Sequence, residues 1–248
     1  MSPSNLRALI FDVDGTLADT EGAHRAAFNE AFAQAGLDWH WYEPLYTRLL
    51  EISGGKERIA HFMALKDGLE AAPAHWTQDP LVQRIHELKT IAYDRRVRAG
   101  KVALRPGIHE LIESALNNGL RLAIATTTTP VNIDALLSAG IGPDWMGRFE
   151  VIENARTAPS KKPHPQAYQQ ALARLQLDAS ECLAFEDSFN GLQAATAAGL
   201  ATLVTPTRFT AGQDFSKALR VLPDLGGVTL ADLRHCHDEF LVACAVAA

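Results

Sequence analysis

The sequence predicts an α/β fold, a parallel sheet interrupted after its first strand by a helical insertion. Three observations carry this reading. From residue 105 to residue 204, short apolar runs alternate with amphipathic helical patterns, the mark of βα units. A further apolar run, Ala8-Leu9-Ile10-Phe11, stands by itself near the start. Between the two, residues 18–104 hold helical patterns and loops but no convincing strand.

The elements follow in order. The first run is apolar at every position, as expected of a strand covered on both faces. Asp19 or Thr20 can cap the next helix, in which Ala23, Ala27, Phe28, Ala31, Phe32 and Ala35 recur at helical spacing until Gly36 ends it. The insertion is aromatic at its start (Trp39, Trp41, Tyr42, Tyr46) and charged later. Pro106-Gly107 opens a helix carrying Ile108, Leu111, Ile112, Ala115 and Leu116, closed by Gly119. Strands are expected at 120–126, 149–153, 182–185 and 201–204. Helices are expected at 131–139, from Pro165 through Tyr168, Leu172 and Leu175, and at 190–198. Residues 1–17 and 105–227 are assigned to the α/β core, 18–104 to a helical cap, and 228–248 to a weakly helical C-terminal extension. No internal repeat appears.

Composition bounds the function. With 248 residues, 47% of them hydrophobic, the chain can bury a substantial core. A formal net charge of −6 argues against nucleic acid or an anionic membrane as partner, though not against an anionic small substrate. Three cysteines (Cys182, Cys236, Cys244) form no Cys-x-x-Cys pair and suit a reducing compartment. The opening Met-Ser-Pro-Ser-Asn-Leu-Arg has no apolar signal region, and no apolar stretch reaches the roughly 18 residues of a membrane span. A cytoplasmic monomer is expected.

The first strand ends in Asp12-Val13-Asp14-Gly15-Thr16. At the carboxyl end of a buried strand, where open α/β sheets bind ligands, Asp12 can act as nucleophile and Asp14 as general acid and base. A calcium loop shares the D-x-D-G pattern, but it needs alternating oxygen ligands ending in glutamate; Leu17-Ala18-Asp19-Thr20 follows instead. Three later strand ends are polar. Thr126-Thr127-Thr128-Thr129 offers hydroxyls and N–H groups to phosphate, or simply caps the next helix. Lys161-Lys162-Pro163 places a lysine beside a loop-fixing proline; alone, it reads as a solvated loop. Glu186-Asp187 puts two carboxylates at the end of a buried strand, costly without a cation or a hydrogen-bond network. Asp12, Asp14, Glu186 and Asp187 together carry four negative charges against one positive charge on Lys162. Oxygen-only ligation then points to an obligatory Mg²⁺.

These motifs, in this order and spacing, resemble the haloacid dehalogenase superfamily over nearly all of the chain to about residue 227. The resemblance implies a Rossmann-like core with an inserted cap. It implies Asp12 as the nucleophile that becomes an aspartyl-phosphate, Asp14 as acid and base, and Thr126 and Lys162 as phosphoryl contacts, with Lys161 as the fallback. It also implies Mg²⁺ on Asp12, the Asp14 backbone carbonyl and Asp187, with Glu186 a ligand directly or through water. An acid/base at Asp14 suits phosphatases and phosphomutases, whose alcohol leaving group needs a proton, rather than dehalogenases.

The cap is similar to that of CbbY-type phosphatases in Asp19-Thr20-Glu21-x-x-His24-Arg25, Tyr46, Gly54-Gly55-Lys56-Glu57-Arg58-Ile59 and Ile124-Ala125-Thr126-Thr127-Thr128. That similarity implies Glu21, His24, Tyr46, Lys56 and Arg58 on the sugar and its distal phosphate, with Gly55 and Thr127 among the substrate contacts. It implies a phosphatase for xylulose 1,5-bisphosphate, a Rubisco inhibitor formed beside the Calvin cycle. The alternatives are a β-phosphoglucomutase-like phosphomutase and a phosphoglycolate-type phosphatase. One loop departs from the pattern: Glu153-Asn154-Ala155-Arg156 lacks the usual Gly-Asp and carries an arginine where an acid is expected. His235-Cys236-His237 is read as structural or exposed, since further ligands at zinc spacing are missing.

Overall fold

Six strands lie parallel in one sheet: β1 (Ala8–Phe11), β2 (Arg121–Ala125), β3 (Val151–Glu153), β4 (Cys182–Glu186), β5 (Ala201–Val204) and β6 (Arg220–Val221). Their order is β3-β2-β1-β4-β5-β6. The computed structural model describes residues 5–247; the expected domain ends at residues 1–4 and 248 lie outside them. β1 pairs with β2 on one side and β4 on the other, with Phe11 in register with Ile124 and Phe185. The connections therefore diverge at β1, and the crevice beyond its carboxyl end is the topological switch point. Every residue of β1, β4 and β5 is buried, as their continuous apolar runs require. β6 was not anticipated: two exposed residues are too short to show a period.

Five helices cover the sheet or follow it: α5 (Ile108–Asn117), α6 (Pro130–Gly140), α7 (Gln166–Leu175), α8 (Phe189–Ala197) and α9 (Leu230–Ala247). The chain enters α5 through Gly107 at φ +82°, where a Cβ would lie 2.0 Å from the Leu225 carbonyl oxygen, so only glycine fits. α9 falls within the weakly helical extension expected at 228–248, and Leu230 and Leu233 join the apolar core. His237 is completely buried on it, while His235 lies exposed beside Glu239.

Between β1 and α5 the chain forms four α-helices: α1 (Glu21–Gln34), α2 (Glu43–Leu49), α3 (Gly55–Lys66) and α4 (Pro80–Arg98). The expected absence of strands there holds among the described residues. Phe28, Phe32, Trp41, Tyr46, Ile59 and Ile85 build a separate apolar cluster. Phe209, from the segment between β5 and β6, enters that cluster and meets Tyr46 edge-on at 5.9 Å. A further contact ties these helices to the sheet: Asn190 Nδ2 donates to the Glu51 carbonyl at 2.9 Å. Just before α5, Arg105 ties the loops around the sheet together by donating to carbonyls of Gly15, Thr205, Pro206 and Pro223. The helical unit thus closes over the carboxyl edge of the sheet.

Candidate active site

Under this closure lies a cavity of about 1030 Å³. Its floor is made by strand ends. Asp12 follows β1 and its N–H donates to the Phe185 carbonyl at 3.0 Å. Glu186 ends β4 and Asp187 follows it. Gly15, at φ +83°, turns the chain under Asp187; a Cβ there would lie 2.1 Å from Asp187 Oδ2. Gly191 similarly leaves room for Glu186, whose Oε2 would lie 1.8 Å from an added Cβ.

Lys162 connects these acids. Its ammonium donates to Asp12 Oδ1 at 2.7 Å and to Glu186 Oε1 at 2.5 Å, while the Tyr168 hydroxyl also donates to Glu186 Oε1 at 2.5 Å. The fallback, Lys161, points elsewhere, toward Glu57 at 3.7 Å. Burial pushes the Asp12 carboxyl up to about 7, opposed by Lys162 and aided by Glu186. Burial, with Asp12 and Glu186, also raises Asp187 well above the usual carboxylate range. Burial alone would lower Lys162, but Asp12 and Glu186 outweigh it and raise it. One ammonium does not neutralise three crowded carboxylates.

Oxygens of Asp12, Glu186 and Asp187 lie within 4.8 Å of one another. Glu186 Oε2 is buried without a hydrogen-bond partner, which is costly in a folded protein unless something else occupies it. An all-oxygen set with an orphaned carboxylate oxygen fits a hard divalent cation such as Mg²⁺. Asp14, expected to offer the metal its backbone carbonyl, keeps its carboxylate outside this cluster, where it accepts from His24 Nε2 at 2.9 Å. Burial would raise the Asp14 pKa, yet the charge and hydrogen bond of His24 outweigh it and hold the carboxyl low.

Thr126 follows β2, buried, with its N–H on the Glu153 carbonyl and its Oγ1 accepting from the Thr128 N–H at 3.3 Å. Thr126 and Thr127 line the cavity, and Glu21, His24, Gly55 and Lys56 line it from the cap side. Tyr46 does not reach it. Fully buried in the aromatic cluster, it donates to Glu21 Oε2 at 2.5 Å and so fixes Glu21 from behind. Arg58 borders the cavity, but its guanidinium is engaged by the Leu49 and Ile52 carbonyls and the Tyr46 hydroxyl.

Lys89 and His86 are among the cavity residues that escaped the sequence reading. Lys89, 5% exposed, lies over the rings of Phe28 and Tyr93 at 5.2 and 5.0 Å. Burial lowers its ammonium to about 8. His86, one turn earlier, is pushed down to about 3 by burial and by Lys89, Lys56 and Lys161. A signal was present: Lys89 sits on the apolar stripe of α4 with Val82, Ile85, Ala92 and Tyr93, where a lysine has no packing reason to be.

Comparison with known proteins decides the family. A match to the haloacid dehalogenase-like hydrolases spans residues 6–199. The plasmid-encoded CbbY protein of Cupriavidus necator is 57% identical over 89% of this chain and 86% of its own length. CbbY of Rhodobacter capsulatus is 48% identical over 89% and 94%. The chain belongs to the haloacid dehalogenase-like hydrolases, among the CbbY-like proteins. It is therefore an enzyme, a hydrolase of this family's phosphatase type. A crystal structure of an aspartate-to-asparagine CbbY mutant from Rhodobacter sphaeroides, in complex with xylulose-(1,5)bisphosphate, superposes with a TM-score of 0.84. It is 41% identical and the match covers 92% of this chain and 99% of that one. The haloacid dehalogenase-like architecture expected from the motifs is thus the observed one. Among the described residues, no helix is long and apolar enough to cross a membrane.

Proposed function

We propose that this chain is a Mg²⁺-dependent phosphatase that hydrolyses a ketose bisphosphate, xylulose 1,5-bisphosphate first among them, with residues 18–104 as its cap. The supporting observation is one cavity with two electrostatic halves. Asp12, Glu186, Asp187 and Lys162 form its floor, and Lys56, Lys89 and Lys161 stand above. The CbbY structure with that bisphosphate adds a relative whose named ligand has the same chemistry.

In the reaction, Asp12 attacks phosphorus and the sugar oxygen leaves with a proton from Asp14. Thr126 and Lys162 hold the phosphoryl oxygens. Asp14, now ionised, takes a proton from water as that water attacks the phosphorus of phospho-Asp12, returning the carboxylate and releasing phosphate. Asp12, Glu186 and Asp187 would hold Mg²⁺, with the Asp14 carbonyl as a further oxygen, and the ion would supply positive charge against the phosphoryl group. An incoming phosphate dianion beside Asp14 opposes His24 and raises the carboxyl toward the protonated form that the first step needs. Closure of the cap excludes water until the sugar has left. Acting on this inhibitor beside the Calvin cycle, the protein would work as a cytoplasmic monomer.

The test is phosphate release with Mg²⁺ from xylulose 1,5-bisphosphate, ribulose 1,5-bisphosphate, fructose 1,6-bisphosphate, phosphoglycolate and β-glucose 1-phosphate. Preference for the first supports the reading. Glucose 6-phosphate formed from β-glucose 1-phosphate, without free phosphate, points to a mutase instead.

A further inference from the structure

The two adjacent lysines, Lys161 and Lys162, serve opposite ends of the cavity. Lys162 is 5% exposed and bound to Asp12 and Glu186. Lys161 belongs to the same core loop, yet its stem lies across Gly54 at the start of cap helix α3. A Cβ on Gly54 would lie 2.7 Å from both Lys161 Cδ and Cε. Its nearest carboxylate, Glu57, is 3.7 Å away, too far for a strong charge-assisted bond. Among the described residues, Lys56 finds only the neutral Gln83 amide, at 2.5 Å. Lys89 is buried with no carboxylate within ion-pair distance, and Arg156, exposed at the cavity wall, has no ion pair among the described residues. Burial first, and then the positive charges of Lys89, Lys56 and Lys161, push the His86 imidazole down. Clustered cations are costly even with Glu57 3.7 Å from Lys161 and with Asp14 and Glu21 acting on Lys89, and a further anion relieves them. α3 adds the open N–H groups of its first turn, which no side chain caps.

We infer that Lys161, together with Lys56 across the domain boundary, binds the second phosphate of a bisphosphate and sets the preference for bisphosphates over monophosphates. This rests on the bisphosphate reading above and moves the specificity cation from Arg58, whose donors are taken inside the cap, to the core. Recognition of the distal phosphate then bridges core and cap, because the Lys161 stem lies against Gly54 at the start of α3.

Calorimetry on Asp12→Asn protein, which removes the nucleophile, tests this with xylulose 1,5-bisphosphate and each of its two monophosphates. The bisphosphate is expected to bind about tenfold or more tightly than the better monophosphate. Adding Lys161→Gln should cut that advantage to less than about threefold, and Lys161→Arg should keep most of it. If the Asp12→Asn protein shows no bisphosphate advantage, the bisphosphate reading fails and takes this inference with it. If the advantage exists and survives Lys161→Gln, the reading stands and the Lys161 assignment is overturned. A loss shared equally by the monophosphates, or an Arg variant no better than Gln, also overturns it.

Discussion

His24 donates Nε2–H to Asp14 Oδ1 at 2.9 Å, so a helix of the cap controls the side chain proposed as acid and base. His24 is itself fixed by stacking on Tyr93 at 4.0 Å. The bond holds Asp14 low against the raising effect of burial. Removing it with His24→Ala leaves burial opposed by the Thr20 side chain and Lys89, so the Asp14 pKa rises. The acid limb of kcat against pH should therefore move up by about one unit or more, with kcat down roughly 10- to 100-fold. A limb that stays in place would show that Asp14 is not the titrating base.

Replacing the nucleophile separates chemistry from folding. Asp12→Asn is isosteric and should lower turnover by at least about 10⁴-fold. Burial, aided by Glu186 and Asp14 and opposed by Lys162, raises Asp12 to about 7, so metal-free protein at pH 7.5 should melt no lower than wild type. Lys162 keeps its bond to Glu186 in the variant. Appreciable residual turnover would sink the nucleophile assignment.

Much of this site is legible in the sequence because each element ends in its chemistry. Continuous apolar runs mark β1, β2 and β4, and Asp12, Thr126 and Glu186-Asp187 sit at their ends. What stayed hidden was orientation. Tyr46 and Arg58 lie in motifs that suggest substrate, yet the aromatic cluster turns Tyr46 inward and the carbonyls of Leu49 and Ile52 capture Arg58. Lys161 and Lys162 are neighbours in sequence but diverge by some way across the cavity, which no linear spacing reveals. Phe209 reaches the cap from a loop without periodicity, so its partner Tyr46 could not be read from pattern.

The orphaned Glu186 Oε2 makes metal binding measurable without turnover. Mg²⁺ at about 100 times its dissociation constant should stabilise the fold by about 2.7 kcal/mol, raising Tm by roughly 5–10 °C. Chelation should abolish both that shift and activity. Gly191→Ala places a methyl where Glu186 Oε2 lies and should erase the shift with no ligand replaced. A full shift in that variant would remove Glu186 from the site.

Acid stability reports on the cation cluster independently of substrate. His86 has an ordinary value of 6.5 and is pushed down to about 3 in the fold by burial and the neighbouring lysines. Below pH 6.5 the unfolded chain binds a proton at His86 that the folded chain refuses, so stability is lost as pH falls toward 3. The slope from this residue approaches about 1.4 kcal/mol per pH unit. His86→Gln cannot take up that proton in either state, and its unfolding free energy should fall less steeply over this window. Lys56, Lys89 and Lys161 supply the field, so Lys161→Gln should restore part of the His86 pKa and flatten the slope by a smaller amount. Parallel slopes for wild type and His86→Gln would mean that no such field acts on the ring.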